Sequence, residues 1–101
     1  MPISITGREG GITLTLSGEI DHHGARTMMR ELDQAISTLL PRRLTLCLSG
    51  VTFMDSSGIA VALRGWQRMQ ELGGTVTLRH VAQQPRKVLE AAGIGRMMTI
   101  E

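Results

Sequence analysis

Leu44-Thr45-Leu46-Cys47-Leu48-Ser49-Gly50-Val51-Thr52-Phe53-Met54-Asp55-Ser56-Ser57-Gly58-Ile59 contains a change of period that decides the fold. Leu44, Leu46 and Leu48 alternate with smaller or polar residues, the pattern of a strand with a buried face, and Val51 and Phe53 carry the apolar signal past Gly50. From Ile59 the spacing becomes helical. Ile59, Ala62, Leu63, Trp66 and Met69 form one stripe, closed by Gly73-Gly74. Asp55 or Ser56 stands where a helix N-cap is needed, its side-chain oxygen accepting from an amide of the first turn. A strand that hands over directly to a helix predicts an α/β unit.

The same two periods alternate on either side. Ile3 and Ile5 begin a strand that ends in the hairpin signal Gly7-Arg8-Glu9-Gly10-Gly11, after which Ile12, Leu14 and Leu16 alternate with Thr13, Thr15 and Ser17. Beyond Gly18-Glu19-Ile20-Asp21-His22-His23-Gly24, a helical stripe runs through Ala25, Met28, Met29, Leu32, Ala35, Ile36, Leu39 and Leu40, and Pro41 stops it. Val76 and Leu78 mark a further strand. Pro85 through Ala92 reads as a short helix ended by Gly93, and Met97, Met98 and Ile100 as a last strand. The order β-β-α-β-α-β-α-β predicts one domain over residues 1–101. Its single sheet mixes parallel and antiparallel strands, with the helices mainly on one face, because strands alternating with Thr and Ser are not buried on both sides.

Composition excludes several classes. Apolar residues make up 42% of the chain, enough for one modest core, and with only Phe53 and Trp66 as aromatics that core is built from aliphatic residues and the seven methionines. The net charge is +2, and the arginines at 8, 26, 30, 42, 43, 64, 68, 79, 86 and 96 are scattered among nine acids with no aromatic placed to stack bases, which argues against nucleic acid as partner. One cysteine, Cys47, makes no intrachain disulfide and suits a reducing compartment. No apolar run approaches the roughly 20 residues of a membrane span, and Met1-Pro2-Ile3-Ser4 has no secretory character. The expected location is the cytoplasm.

Ser57 falls at or just inside the helix start, and Gly58 beside it is expected to leave the hydroxyl open to another protein. A helix N-terminus favours phosphate through its free amides and its dipole. A phosphate there would add about −1.5 to −2 charges beside Asp55. Local chemistry alone is equally satisfied by a plain helix cap, and it does not separate Ser57 from Ser56.

Three stretches resemble the STAS domain family: Leu16-Ser17-Gly18-Glu19-Ile20-Asp21-His22-His23, Phe53-Met54-Asp55-Ser56-Ser57-Gly58-Ile59, and Gly73-Gly74 followed by a strand. The Gly-Glu-Ile-Asp-His-His string narrows the resemblance towards the anti-sigma factor antagonists of sporulating bacteria, and the order of elements is also the family's. The resemblance implies that Ser57, the second serine of the Asp-Ser-Ser-Gly turn, is phosphorylated by an anti-sigma factor serine kinase using ATP. It further implies that the unmodified protein binds that kinase and frees a sigma factor, that phosphorylation ends binding, and that a PP2C-like serine phosphatase resets the switch. Asp21, His22, His23, Asp55, Ser56, Gly58 and Ile59 would then form the partner surface, with no cofactor and no catalytic residue in this chain. The alternative is a constitutive STAS scaffold of a transporter or stress-signalling complex. Family members commonly continue past the last strand into a C-terminal helix, whereas this sequence stops at Glu101: either the helix is dispensable or the sequence is cut short of it, and the sheet face near Met97 and Met98 is either covered or paired with a second copy.

Other constellations are weaker. Asp21, His22, His23 and His80 lack the spacing of a metal site. The serines are not set in a Gly-x-Ser-x-Gly elbow, and Gly93-Ile94-Gly95 lacks the third glycine of a dinucleotide fingerprint. Cys47 reads as a half-buried strand residue, Trp66 and the methionines as core, and Arg64 with Arg68 as a solvated helix face that can alternatively meet acids on a partner.

Overall fold

The computed structural model describes residues 3–8 and 10–101. Met1, Pro2 and Glu9 lie outside the described residues, so the expected hairpin turn is described except at Glu9. The elements run β1 (Ile3–Arg8), β2 (Gly11–Ile20), α1 (His22–Leu39), β3 (Arg43–Met54), α2 (Ser56–Glu71), β4 (Thr75–Arg79), α3 (Gln83–Ala91), a single 3-10 turn (Ile94–Arg96) and β5 (Thr99–Ile100). This is the order expected from the sequence. The sheet order is also 1-2-3-4-5. β1 pairs antiparallel with β2 from Ile3↔Leu16 to Arg8↔Gly11, and every other pair is parallel, each parallel crossover being made by a helix.

Leu14, Leu46 and Leu78 sit in register on the face that the helices cover and are at most 1% exposed. Their neighbours Thr13, Thr45 and Thr77 line up on the opposite face, half-exposed. Among the described residues no polar or charged side chain is buried, so the core depends on apolar area alone. Cys47, on the same face as the threonines, is half-buried as expected. Burial pushes its thiol up, but hydrogen bonds with Ser49 and Thr15 and the nearby Arg79 charge bring it below the ordinary value.

Two bulges alter the second half of β3. Its register against β2 slips between Thr15 and Ser17 and again between Gly18 and Glu19, so β3 gains a residue over β2 at each. Gly50 permits the first: a Cβ there would stand 2.8 Å from Ser17 Cβ. Each slip changes which residues face inward. Burial therefore passes from Leu48 to Val51 to Met54, and Phe53, expected from its sequence position to extend the buried row, is 42% exposed.

The first helix also departs from its apolar stripe. Asp21 caps α1, Ala25, Met28, Leu32, Ala35 and Ile36 are buried, and Leu40 closes the helix in the left-handed region at φ 45°. Leu39 and Leu40, expected on the buried stripe, are exposed because they belong to that terminal turn. On α2, Arg64 and Arg68 are not a merely solvated face. Both reach Asp33 of α1, Arg64 through Nη2 at 2.8 Å and Arg68 through Nη1 at 2.9 Å, and Arg68 Nη2 donates to Ser37 Oγ at 2.7 Å. The Arg64 guanidinium, aided by Arg68 and opposed by burial, holds the Asp33 carboxyl below its usual value. At the far edge β5 is only two residues long, with Met98 buried and Met97 exposed.

Candidate functional site

β2 and β3 end side by side. Ile20 pairs with Met54, and the next amide, Asp55 N–H, donates to the Ile20 carbonyl at 3.2 Å. Each strand then delivers an aspartate that caps a helix. Asp21 Oδ1 accepts from Gly24 N–H at 2.7 Å, and Asp55 Oδ1 accepts from Ser57 N–H at 2.7 Å. Asp21-His22-His23-Gly24 and Asp55-Ser56-Ser57-Gly58 are thus two neighbouring copies of one local design, both at the C-terminal edge of the parallel strands. The glycines serve close approach. A Cβ at position 24 would lie 2.9 Å from the Glu19 carbonyl oxygen, and one at position 58 would lie 2.2 Å from Met54 Cγ.

Asp21, His22, His23 and Ser56 are exposed, and Asp55 and Ser57 are half-exposed. His22 and His23 form the first turn of α1. Ser57 is the second residue of α2, its hydroxyl at the N-terminal end where the dipole is positive. Two further residues of the expected partner surface also make contacts within the chain. Gly58 is buried, and its missing side chain lets α2 settle on Met54. Ile59 packs, half-buried, against the core.

Two residues at this edge were not singled out by sequence. Phe53, turned outward by the bulges, pairs across to Glu19 immediately before the two caps. The signal for it was Gly50, since an isolated glycine inside a strand pattern marks a bulge that changes which side faces the core. Gln84 of α3 makes a two-pronged bond to the Met54 backbone: Met54 N–H donates to Oε1 at 2.9 Å, and Nε2 donates to the Met54 carbonyl at 2.8 Å. No local pattern announces that contact, which joins residues 30 positions apart. Among the described residues no three His, Cys, Asp or Glu side chains gather as a metal-holding group, and His80, following β4, does not join the site in one. Among the described residues no helix is long and apolar enough to cross a membrane.

Comparison with known proteins agrees with this architecture. The anti-sigma F factor antagonist of Paenibacillus polymyxa is 29% identical over 100 residues, covering 99% of this chain and 86% of the relative. The solved structure of the anti-sigma factor antagonist SpoIIAA in its unphosphorylated form superposes with a TM-score of 0.83 at 23% identity, covering 98% of this chain and 87% of that one. The phosphorylated form of the Bacillus cell fate determinant SpoIIAA gives 0.75 at 23% identity, covering 98% and 90%. At that identity the superpositions speak for the fold. Residues 2–101 match the STAS domain, and the chain belongs to the STAS domain family.

Proposed function

We propose that this chain is an anti-sigma factor antagonist switched by phosphorylation at Ser57. The unmodified protein binds an anti-sigma factor serine kinase in the cytoplasm and releases a sigma factor. The kinase then passes the γ-phosphoryl group of ATP to Ser57 Oγ, ADP leaves, the hydroxyl proton is lost, and the complex dissociates. A serine phosphatase restores the hydroxyl by hydrolysis. The chain catalyses neither step.

The observation that carries this reading is the position of Ser57 in the first turn of α2, with its amide held by Asp55 and the Asp21 cap on the adjoining strand. Helix N-termini tolerate a phosphate within this chain. A partner that closes over the turn meets a different balance. The phosphate adds about −1.5 to −2 charges to those of Asp21 and Asp55, and burying that dianion without new cationic partners is costly. Phosphorylation on this account leaves the fold intact and ends the complex. The relatedness to anti-sigma factor antagonists, and the existence of SpoIIAA in both phosphorylation states, support the same reading.

Intact-mass analysis tests the site. The protein is incubated with ATP and, in turn, each anti-sigma factor serine kinase of the same genome, as wild type, Ser56→Ala and Ser57→Ala. One phosphate is expected on wild type and Ser56→Ala and none on Ser57→Ala. No phosphate on any variant, with the kinases active on another substrate, would mark a constitutive scaffold instead.

A further inference from the structure

β4 accompanies β3 only as far as Cys47↔Arg79, whereas β3 runs on to Met54. On the β2 side the end of β3 is secured by Asp55 N–H on the Ile20 carbonyl. On the other side no strand among the described residues takes up the Met54 peptide groups, and an unpaired amide and carbonyl beside a side chain only 1% exposed are unfavourable. Gln84 replaces the missing strand. Its carboxamide presents an acceptor and a donor at the spacing of a neighbouring peptide, and bonds both groups of Met54. A neutral side chain of that length is required, since Asn is one methylene shorter and a carboxylate has no donor for the carbonyl.

Met54 is in turn the support of the Ser57 turn. Its side chain fills the space under Gly58, and the residue that follows it, Asp55, holds the Ser57 amide. From this chain of contacts we infer that Gln84 is a positioning residue for the phosphoacceptor. It holds the strand end so that the Asp55–Gly58 turn has the shape a partner kinase reads, and it links α3 to the switch. The inference rests on Ser57 being the phosphoacceptor.

The test compares phosphorylation kinetics of wild type, Gln84→Ala, Gln84→Glu and Val88→Ala with ATP and whichever of those kinases modifies the wild type. Val88 lies half-buried on α3 and is not a partner in the Gln84–Met54 clamp, so its truncation lowers stability without releasing Met54. Gln84→Glu keeps size and shape but sets an oxygen against the Met54 carbonyl. Gln84→Ala loses both hydrogen bonds, Gln84→Glu loses the one to the carbonyl and gains a repulsion there, and KM is expected to rise about tenfold in each, with kcat within about twofold because the reacting hydroxyl and its neighbours are retained. Val88→Ala should keep the wild-type KM. Wild-type phosphorylation together with an unchanged KM in the Gln84 variants overturns this inference alone, as does an equal rise in Val88→Ala. Absence of phosphate on wild type overturns the proposed function and this inference with it.

Discussion

Met54 occupies the space that a side chain on residue 58 would need: a Cβ there would stand 2.2 Å from Met54 Cγ and 2.4 Å from its sulfur. The strand end and the first turn of α2 are fitted to each other through this pair, and the Ser57 turn is placed by that fit.

Gly58→Ala is therefore expected to destabilise the protein, although alanine is ordinarily the better helix former. Overpacking costs about 1–3 kcal/mol, of which helix propensity returns up to about 1. A net loss near 1–2 kcal/mol lowers the melting temperature by roughly 5–15 °C in a domain of this size. In a Met54→Ala background the same substitution should cost nothing further, because the space is then vacant. Thermal unfolding of the four-variant cycle checks this; equal costs in both backgrounds would show that the two residues are not coupled.

The Asp33 network predicts a signed dependence on pH. Its carboxyl is held below the ordinary value in the folded state by Arg64 and Arg68. In the window between the folded and unfolded values the unfolded chain binds more protons. The contribution is thus complete above the unfolded value of about 3.9 and is lost as pH falls through the folded value. Urea unfolding of Asp33→Asn should show a deficit of about 1 kcal/mol at pH 7, a partly exposed network being worth no more, and the deficit should shrink in acid and in high salt. A deficit that grows in acid would contradict the assignment.

Phe53 should separate binding from stability. It is 42% exposed beside the two caps, so Phe53→Ala is expected to change unfolding free energy by less than about 0.5 kcal/mol. Truncating an aromatic anchor at an interface commonly costs about 2 kcal/mol or more, so kinase binding should weaken at least about tenfold. Calorimetry beside a melting curve checks both, and unaltered binding would remove Phe53 from the partner surface.

The order of elements was legible because each change of period coincides with a cap or a breaker: Asp21 before α1, Pro41 after it, Asp55 before α2, and Gly73-Gly74 and Gly93 after the later helices. The neighbouring placement of the Asp21 and Asp55 turns follows from that order, since adjacent parallel strands deliver their helices at one edge. Details that depend on register were not legible. Two bulges turn Phe53 outward and Met54 inward, and only Gly50 hints at them. The inward position of Gly58 depends on the same shift. The Asp33–Arg64–Arg68 network and the Gln84 clamp join distant residues through side-chain geometry that no local pattern carries.

One phosphate on Ser57 is expected to end partner binding without unfolding the protein. The most direct measurement is calorimetric titration of the kinase with stoichiometrically phosphorylated and unmodified protein, with a circular dichroism melt of each. Tight binding by the unmodified form, at least about a hundredfold weaker binding by the phosphorylated form (some 2.7 kcal/mol), and folded melts for both are predicted. Equal affinity of the two forms for the kinase would show that the phosphate on Ser57 is not the switch.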